Sequence, residues 1–225
     1  MHGAVAARKQ FPKRKKKEPL NPDRIAAAAL DFIDEHGLED MSVRNLGATL
    51  GVEGMALYKH FPSKEAILDA VAERLVLELV VPAPTSEGWM RRAATMAHDY
   101  RAISRRHPNA FPLLGMRRFS TPRALALIDR IVFALMGEGL SAQQAVEVYR
   151  AVSNWANGCI LHELASDQAA SEGKELDVGT LPRELTALAV SYQYLGTDHA
   201  EALFKLGLEA LLEGLAQRFK PSRHG

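Results

Sequence analysis

Side chains that suit contacts with nucleic acid are concentrated in one segment, from Ser42 to Lys64. Arginine and lysine neutralise backbone phosphates, while hydroxyl, imidazole and small apolar groups reach phosphate oxygens or base edges. The chemistry that this pattern favours is binding rather than bond breaking. The candidate contact residues are polar, basic and small side chains: Ser42, Val43, Arg44, Gly54, Met55, Ala56, Tyr58, Lys59, His60 and Lys64.

Two short helices around a glycine turn are predicted to position these side chains. Ser42 can cap the first helix, expected near 43–50, by accepting a hydrogen bond from a free backbone N–H. Leu46 and Leu50 lie one turn apart and share its apolar face. Gly51 then ends the helix, because glycine adopts the left-handed conformation without steric cost.

The second helix is expected near 54–61, where Leu57 and Phe61 form its apolar face. Pro62 ends it, since proline lacks an N–H and disfavours helical geometry in the residue before it. Ser63 caps the helix that follows. Helix, tight turn and helix form the helix-turn-helix pattern, which can place a helix end in the major groove of DNA. The alternative is an ordinary helical hairpin inside a bundle.

The run from Leu57 to Lys64, preceded by Gly51-Val52-Glu53, resembles the signature of the tetracycline-repressor (TetR) family. The resemblance is strong over roughly residues 21–75 and weaker from there to the end of the chain. It implies an all-α protein with an N-terminal three-helix DNA-binding domain. A long fourth helix would join this domain to a C-terminal helical domain for ligand binding and dimerisation.

The resemblance also implies roles for four of the candidate residues. The second short helix would lie in the major groove, where Tyr58 and His60 contact the DNA backbone and base edges. Lys64, which opens the next helix, would contact a phosphate. Arg44, in the first turn of the preceding helix, would reach a base or a phosphate.

Two places depart from the family pattern. Gly47 stands where alanine is usual, a change that costs up to ~1 kcal/mol of helix stability. Residues 54–56 read Gly-Met-Ala where hydrogen-bonding side chains are common. Methionine and alanine can touch thymine methyls but make no bidentate base contact. We therefore predict weak direct readout that relies on Arg44, Lys59 and a few apolar contacts.

The composition fits a soluble globular protein, since 47% of the 225 residues are hydrophobic and 24% are charged. No stretch approaches ~18 continuous apolar residues, which predicts no membrane span. The basic N-terminus lacks the apolar core of a secretory signal, and the single Cys159 suits a reducing cytoplasm. We expect a disordered basic arm over 1–20, a helix-turn-helix domain over 21–66 and a ligand-binding and dimerisation domain over 67–225.

Positive charge is concentrated at the start of the chain. The net charge of the chain is +1, but residues 1–20 alone carry a net charge of +6. The remaining residues therefore sum to −5, and residues 21–64 sum to −3. A net negative charge is unusual for a DNA-binding domain, because neutralisation of phosphates supplies much of the affinity for DNA. The hypothesis is that the arm contacts phosphates or the minor groove; the alternative is a solvated tail. The arm residues are Arg8, Lys9, Lys13, Arg14, Lys15, Lys16 and Lys17.

Helical spacing continues through the chain, and no strand pattern occurs. The run 122–137 has almost no polar face, which predicts a helix buried on all sides. The five arginines of 86–106 are expected to point mostly outward, and 167–181 reads as a mobile loop. The predicted helices lie near 22–37, 63–81, 86–106, 111–117, 122–137, 141–165, 182–194 and 198–219.

The eight histidines and the acidic residues do not have the spacings of known catalytic or metal-binding motifs. No HExxH or ExxH pair occurs, so neither a zinc peptidase nor a di-iron bundle is supported. Glycine-rich phosphate loops after a strand and nucleophile elbows do not occur either. The sequence therefore predicts no enzyme, no cofactor and no metal site.

A ligand-responsive member of this family needs a cavity, which we expect among inward side chains of the helices between 86 and 165. These side chains are mostly apolar and aromatic, which favours a mainly hydrophobic small molecule of unknown identity. His98 and His162 are candidate polar anchors, and core packing is the alternative for every residue. The candidate pocket residues are Trp89, Met96, Tyr100, Phe111, Leu114, Phe119, Phe133, Trp155, Cys159 and His162.

The last helix and part of 141–165 are predicted to form a homodimer interface, as two helices of a four-helix bundle. Glycine inside a helix reduces the stability of that helix. Its presence there therefore indicates that the helix needs room for a close approach of another helix. The alternative is packing within one chain. The candidate interface residues are Val152, Leu203, Gly207, Ala210, Leu211 and Gly214.

The leading hypothesis is a dimeric transcriptional repressor that a small apolar or aromatic ligand releases from a palindromic operator. Its partners would be double-stranded DNA, a second copy of the chain and the effector, with no membrane. Two alternatives stay open: a structural DNA-binding protein without an effector, and a ligand-dependent activator of the same fold.

Overall fold

The computed structural model describes residues 19–83, 88–117, 121–174, 182, 184–191, 194 and 199–219. Within these ranges all regular structure is helical, which confirms the all-α prediction. The elements are α1 (Pro22–His36), α2 (Val43–Leu50), a 3₁₀ helix (Gly54–Lys59), α3 (Lys64–Val76), α4 (Gly88–Arg106), α5 (Pro112–Met116), α6 (Pro122–Met136), α7 (Ala142–Ser171), α8 (Thr186–Ser191) and α9 (Ala200–Arg218).

Side-chain caps begin the three helices of the N-terminal part. The side-chain oxygens of Asn21, Ser42 and Ser63 each accept a backbone N–H three residues ahead, at 2.8, 3.1 and 3.1 Å. These bonds satisfy donors that a helix start would otherwise leave unpaired. α1 packs against α2 and α3, and α2 packs against the 3₁₀ helix.

The longest helix, α7, lies at the centre of the C-terminal part. It contacts α4, α5, α6 and α9. A capping box between Ser141 and Gln144 starts it, and Val148, Val152 and Ile160 are among its buried side chains. α3 also packs against α5 and α6, so one apolar core runs from the N-terminal helices into the C-terminal ones.

The helix that joins the two parts is shorter than predicted. α3 ends at Val76 rather than near 81, because tight turns at Leu77 and Glu78 stop its hydrogen-bond ladder. Beyond the turns, the backbone N–H of Val80 donates to the Asp99 carboxylate at 2.8 Å. The chain therefore leaves the helix to pair with α4.

Three predictions about the C-terminal helices differ from the structure, one of them only in part. α6 buries one side only, and Phe133 is 75% exposed because the neighbouring helices pack on the opposite side. On α4, Arg91, Arg105 and Arg106 are exposed as expected, but Arg92 and Arg101 are buried, since Glu138, Glu163 and Glu201 pair with them. α7 also continues to Ser171, beyond its predicted end at 165.

Candidate functional site

The turn between α2 and the 3₁₀ helix has the predicted geometry. Gly51 has φ 66° and ψ 38°, the left-handed conformation, and its N–H bonds the carbonyls of the preceding turn. Val52 then donates to the Gly47 carbonyl at 2.9 Å. The chain thus reverses within a few residues and brings the next element back against α2.

That next element is a 3₁₀ helix that ends at Lys59, not the α-helix predicted over 54–61. Its N–H groups bond carbonyls three residues back, from Ala56 to Glu53 and from His60 to Leu57, both at 2.9 Å. Leu57 is fully buried and anchors the element in the core. The tighter winding fits a short element that must stay close to α2.

The close approach rests on a pair of glycines. A Cβ on Gly47 would lie 2.7 Å from the Gly54 nitrogen and 2.8 Å from its Cα. A Cβ on Gly54 would lie 2.9 Å from the Val43 carbonyl oxygen and 3.3 Å from the Arg44 Cα. The two backbones therefore meet where side chains do not fit, and Val43, Arg44 and Gly54 come together.

Four of the side chains predicted to contact DNA are exposed on this unit. Arg44, Tyr58 and Lys59 are exposed, and Met55 is 72% exposed. The remaining candidates are partly buried at the edge of the unit: Ser42, Val43, Gly54, Ala56, His60 and Lys64. The proposed arm, Arg8 to Lys17, lies outside the described residues.

A polar cluster joins α1 to the chain after α3 and α4. Nδ1 of His107 lies 2.5 Å from Oδ2 of Asp34, and its Nε2 lies 3.2 Å from Oε1 of Glu78. Arg106 donates to the other oxygen of Glu78 at 2.9 Å. Burial raises the pKa of Asp34, and the hydrogen bond with His107 opposes that rise. The cluster ties the N-terminal unit to the C-terminal helices.

A cavity of about 310 Å³ lies between α3, α4, α5, α6 and α7. Its walls are mostly apolar, and polar groups come from Tyr100, Tyr149, Asn157 and Arg117. Tyr100 donates to Oδ1 of Asn157 at 3.3 Å. Burial raises the pKa of both tyrosines, so both phenols stay neutral at physiological pH. The size and lining are typical of a small-molecule site.

Three predicted pocket residues, Met96, Tyr100 and Leu114, line this cavity. The fully buried Phe111 is a neighbour of Tyr100, with ring centroids 5.1 Å apart. Phe119 lies outside the described residues.

The other predicted pocket residues lie elsewhere. Trp89 packs against Phe219, and Trp155 packs against Phe204, with ring centroids 6.0 and 5.0 Å apart. Cys159 is half-buried outside the cavity lining.

The exposed Phe133 and His162 contradict the prediction that they point inward, and His98 is exposed against the Phe204 ring. Helical spacing identifies an apolar side chain but not which neighbour covers it.

The cavity also has wall residues that the sequence did not single out. Tyr149, Ser153 and Asn157 follow each other at four-residue spacing on α7, which was a signal for a polar strip beside the apolar one. Arg117 gave no such signal, because it follows the end of α5.

The interface prediction is only partly compatible with the structure. Val152 lies in the cavity wall, and a Cβ on Gly207 would meet the ring of Trp155 at 2.6 Å, so both serve packing within the chain. Leu203, Ala210 and Gly214 are exposed on α9, and Leu211 is half-buried.

The described residues contain no group of three histidine, cysteine or acidic residues placed to share a metal ion. None of their helices combines the length and the apolar character needed to cross a bilayer.

Two family models match the chain. The model for bacterial regulatory proteins of the tetR family matches residues 25–71, and the model for the tetracyclin repressor-like C-terminal domain matches residues 81–219. The first match spans the helix-turn-helix unit and most of α3. The second spans α4 to α9, which include most of the cavity wall.

Individual relatives agree with these models. Tetracycline repressor protein class A from transposon 1721 of Escherichia coli is 30% identical over 203 residues, 88% of this chain and 92% of the relative. The HTH-type transcriptional repressor DrrR1 of Streptomyces coeruleorubidus is 27% identical, over 91% of this chain and 80% of its own. The Streptomyces coelicolor TetR family protein ActR, in complex with (S)-DNPA, has a TM-score of 0.71 at 27% identity, over 88% of this chain and 98% of its own.

The matched residues, the helix-turn-helix with its exposed basic face and the cavity beside it therefore lead to one conclusion. The chain belongs to the tetracycline-repressor (TetR) family of DNA-binding transcriptional regulators, which are not enzymes.

Proposed function

We propose that this regulator is a homodimeric repressor that leaves a palindromic operator when a small, largely apolar or aromatic ligand fills the cavity. The observation that carries the proposal is the position of the cavity. Its wall includes Val76 at the end of α3, the helix that follows the 3₁₀ helix along the chain and begins at Lys64. A change at the cavity can therefore reach the DNA-binding unit through one element.

The proposed DNA-binding unit is residues 21–66, and the remainder to residue 225 is the proposed effector and dimerisation unit. Arg44, Tyr58 and Lys59 are exposed on the first unit, and in the described residues none of them has an ion-pair partner. Arg44 and Lys59 are thus available for phosphates or base edges, and Met55 for thymine methyls. Tyr58, His60 and Lys64 are proposed as backbone and phosphate contacts.

The proposed dimer places α7 and α9 of each copy in a four-helix bundle. Support comes from apolar side chains that α9 leaves in solvent, Leu203 at 52% and Leu206 at 63% exposure. Ala210 and Gly214 lie at successive four-residue steps from Leu206 and are also exposed. Small residues beside exposed leucines allow a second helix to approach closely.

The proposed ligand response is a population shift. The dimer is proposed to have two states, in which the spacing of its two DNA-binding units does or does not match the operator half-sites. A ligand that binds the mismatched state more tightly lowers operator affinity, and its differential affinity for the two states sets the size of the effect. By linkage, the operator must weaken the ligand by the same factor. The complex of ActR with (S)-DNPA supports a small organic effector for this chain as well.

Selection of genomic fragments by the purified protein at fixed, near-physiological salt tests the DNA-binding proposal. We expect a palindrome with half-sites about one helical turn (~10 bp) apart. Arg44→Ala is expected to weaken binding by about 1–3 kcal/mol, because alanine cannot reach the base or phosphate that the arginine binds. Arg130→Ala, which changes an exposed arginine on α6, is the matched control and is expected to bind like the wild type. Unrelated fragments, held equally by both variants, would instead indicate sequence-tolerant structural binding.

Removal of residues 1–17 tests the proposed contact of the arm with DNA. We expect weaker operator binding and a flatter dependence of log K on log salt, by about 0.9 for each phosphate that the arm neutralises. Replacement of residues 13–17 by glutamines keeps the length of the arm and removes five of its seven positive charges, so it should reproduce most of the effect. A salt slope equal to that of the full chain would show that the tail does not bind phosphate.

A further inference from the structure

We propose that the ligand carries an acidic group, and that this group weakens operator binding by drawing the guanidinium of Arg117 away from α3. The inference rests on the proposed function, because it specifies the ligand class and the transmission step of the same cavity. Its basis is the double position of Arg117, which belongs to the cavity wall and also bonds the helix that leads to the DNA-binding unit.

The contacts of Arg117 connect the cavity with the first turns of α3. Its Nη1 donates to Oδ1 of Asp69 at 2.6 Å and to the Glu65 carbonyl at 3.1 Å. Glu65 is the second residue of α3, next to Lys64. The guanidinium therefore tethers the part of α3 that lies nearest the proposed DNA contacts to the chain that follows α5.

The charges around the cavity favour an anion. Among the described lining residues, Arg117 is the one charged side chain, and no carboxylate accompanies it there. The other polar groups are the neutral phenols of Tyr100 and Tyr149 and the side chains of Ser153, Asn154 and Asn157. A carboxylate or other acidic group would find hydrogen-bond donors and a guanidinium for which it competes with Asp69, whereas a cationic ligand would find no carboxylate in the described lining.

The tether is weak enough for a ligand to compete with it. The Asp69 side chain is 57% exposed, and ion pairs with an exposed partner contribute little because water solvates them well. The bonds to α3 use Nη1, while Nη2 and Nε carry further donors for a bidentate contact with a carboxylate. An anion beside apolar walls would interact with the guanidinium at a lower effective dielectric than Asp69 does, and this attraction must exceed the cost of desolvating the anion.

The apolar part of the cavity determines the size and character of the rest of the ligand. Met96, Leu127 and Ile131 lie among its walls, and the volume of about 310 Å³ accommodates a few fused rings. The ligand class is therefore an aromatic or polycyclic acid. Its rings would fill the apolar space and its acidic group would lie at the α5 end, beside Arg117.

A matched panel tests the ligand class directly. The probes are one- to three-ring aromatic carboxylic acids and their primary amides, which have similar shape but no charge, measured by thermal shift and titration on the full-length protein. We expect the acids to bind at least tenfold more tightly than the amides. Arg117→Met should remove this preference, and Arg117→Lys should keep part of it. Equal binding of acids and amides, or no binding of either, would overturn the proposal.

Asp69→Asn tests the transmission step without a change in the cavity. It removes the charge that competes for Arg117, so we expect acids to bind several-fold more tightly and the operator to bind several-fold more weakly without ligand. Unchanged affinities for both would contradict the tether. Glu73→Gln, a change at another acidic residue of α3, is the control and should leave acid binding unaltered.

Operator binding by the wild type, measured in parallel, distinguishes failure of the acidic-ligand proposal from failure of the proposed function. Intact operator binding with no preference for acids rejects only the acidic ligand. Absence of sequence-specific DNA binding by the wild type rejects the proposed function itself.

Discussion

Replacement of Arg101 by alanine is expected to destabilise the fold by about 3 kcal/mol or more. The side chain is 3% exposed, and its Nε and Nη2 donate to the Glu163 carboxylate at 2.9 and 2.7 Å. Its Nη1 bonds Glu201, and the guanidinium lies 4.9 Å from the centroid of the Phe204 ring. One side chain thus joins α4, α7 and α9, and its removal leaves the mostly buried Glu163 without a counter-ion.

Arg105→Ala provides the matched control for this prediction. Arg105 is 58% exposed and bonds Glu201 from the same helix, one turn further on. Exposed pairs contribute at most about 1 kcal/mol, so this variant should unfold close to the wild-type denaturant concentration. Urea unfolding of both variants at one protein concentration measures the difference. Equal destabilisation of the two variants would show that the burial of Arg101 does not increase its contribution to the free energy of unfolding.

A double variant separates the effect of the broken charge pair from that of the altered packing. Arg101→Met with Glu163→Leu removes both charges and keeps apolar volume, and such replacements are often neutral or better. We expect it to be much more stable than Arg101→Ala. Equal stability of the double variant and Arg101→Ala would mean that the packing of the arginine stem, rather than the unpaired carboxylate, accounts for the destabilisation.

The helix-turn-helix could be predicted from the sequence because its signals are local. The caps at Asn21, Ser42 and Ser63 act over three residues, and Gly51 acts on its own backbone. Each signal therefore has the same meaning in the isolated sequence and in the fold. The family signature lies in the same stretch, which is why the fold and the DNA-binding unit could be predicted together.

The contents of the C-terminal part depend on distant partners and were predicted less well. Arg101 looks solvent-facing on a helical wheel, yet its partners lie 62 and 100 residues away. Phe133 looks buried because its helix is apolar on nearly all sides, but no described neighbour covers it. Periodicity identifies faces of a helix, and only the packing of other elements decides which face becomes interior.

At Gly47, the structure reverses the effect on stability that helix propensity predicts for glycine. From helix propensity alone, glycine at this position is a defect that alanine would repair by up to ~1 kcal/mol. In the fold, Gly47 is fully packed against Gly54, and neither backbone has room for a Cβ. The unusual Gly-Met-Ala at 54–56 is thus coupled to the unusual glycine at 47, since each small residue permits the other.

Gly47→Ala is therefore expected to be destabilising, against its helix propensity. The added Cβ would lie 2.7 Å from a backbone nitrogen that belongs to another element, so the 3₁₀ helix must shift. Overpacking of this kind typically costs about 1–3 kcal/mol, which exceeds the gain in propensity. The shift also displaces Tyr58 and Lys59, so operator affinity should fall at least about tenfold, or 1.4 kcal/mol.

Gly137→Ala is the control, because its Cβ would meet its nearest neighbours at 3.5 Å, an ordinary contact, at the end of α6. It should change neither operator affinity nor stability by more than about 0.5 kcal/mol. Gly54→Ala, whose Cβ would lie 2.9 Å from the Val43 carbonyl oxygen, should repeat the Gly47→Ala defect from the other side of the contact. If Gly47→Ala were as stable as the wild type and bound the operator equally well, the 3₁₀ helix would have to tolerate a wider separation from α2. The position of its exposed side chains would then not depend on the glycine pair.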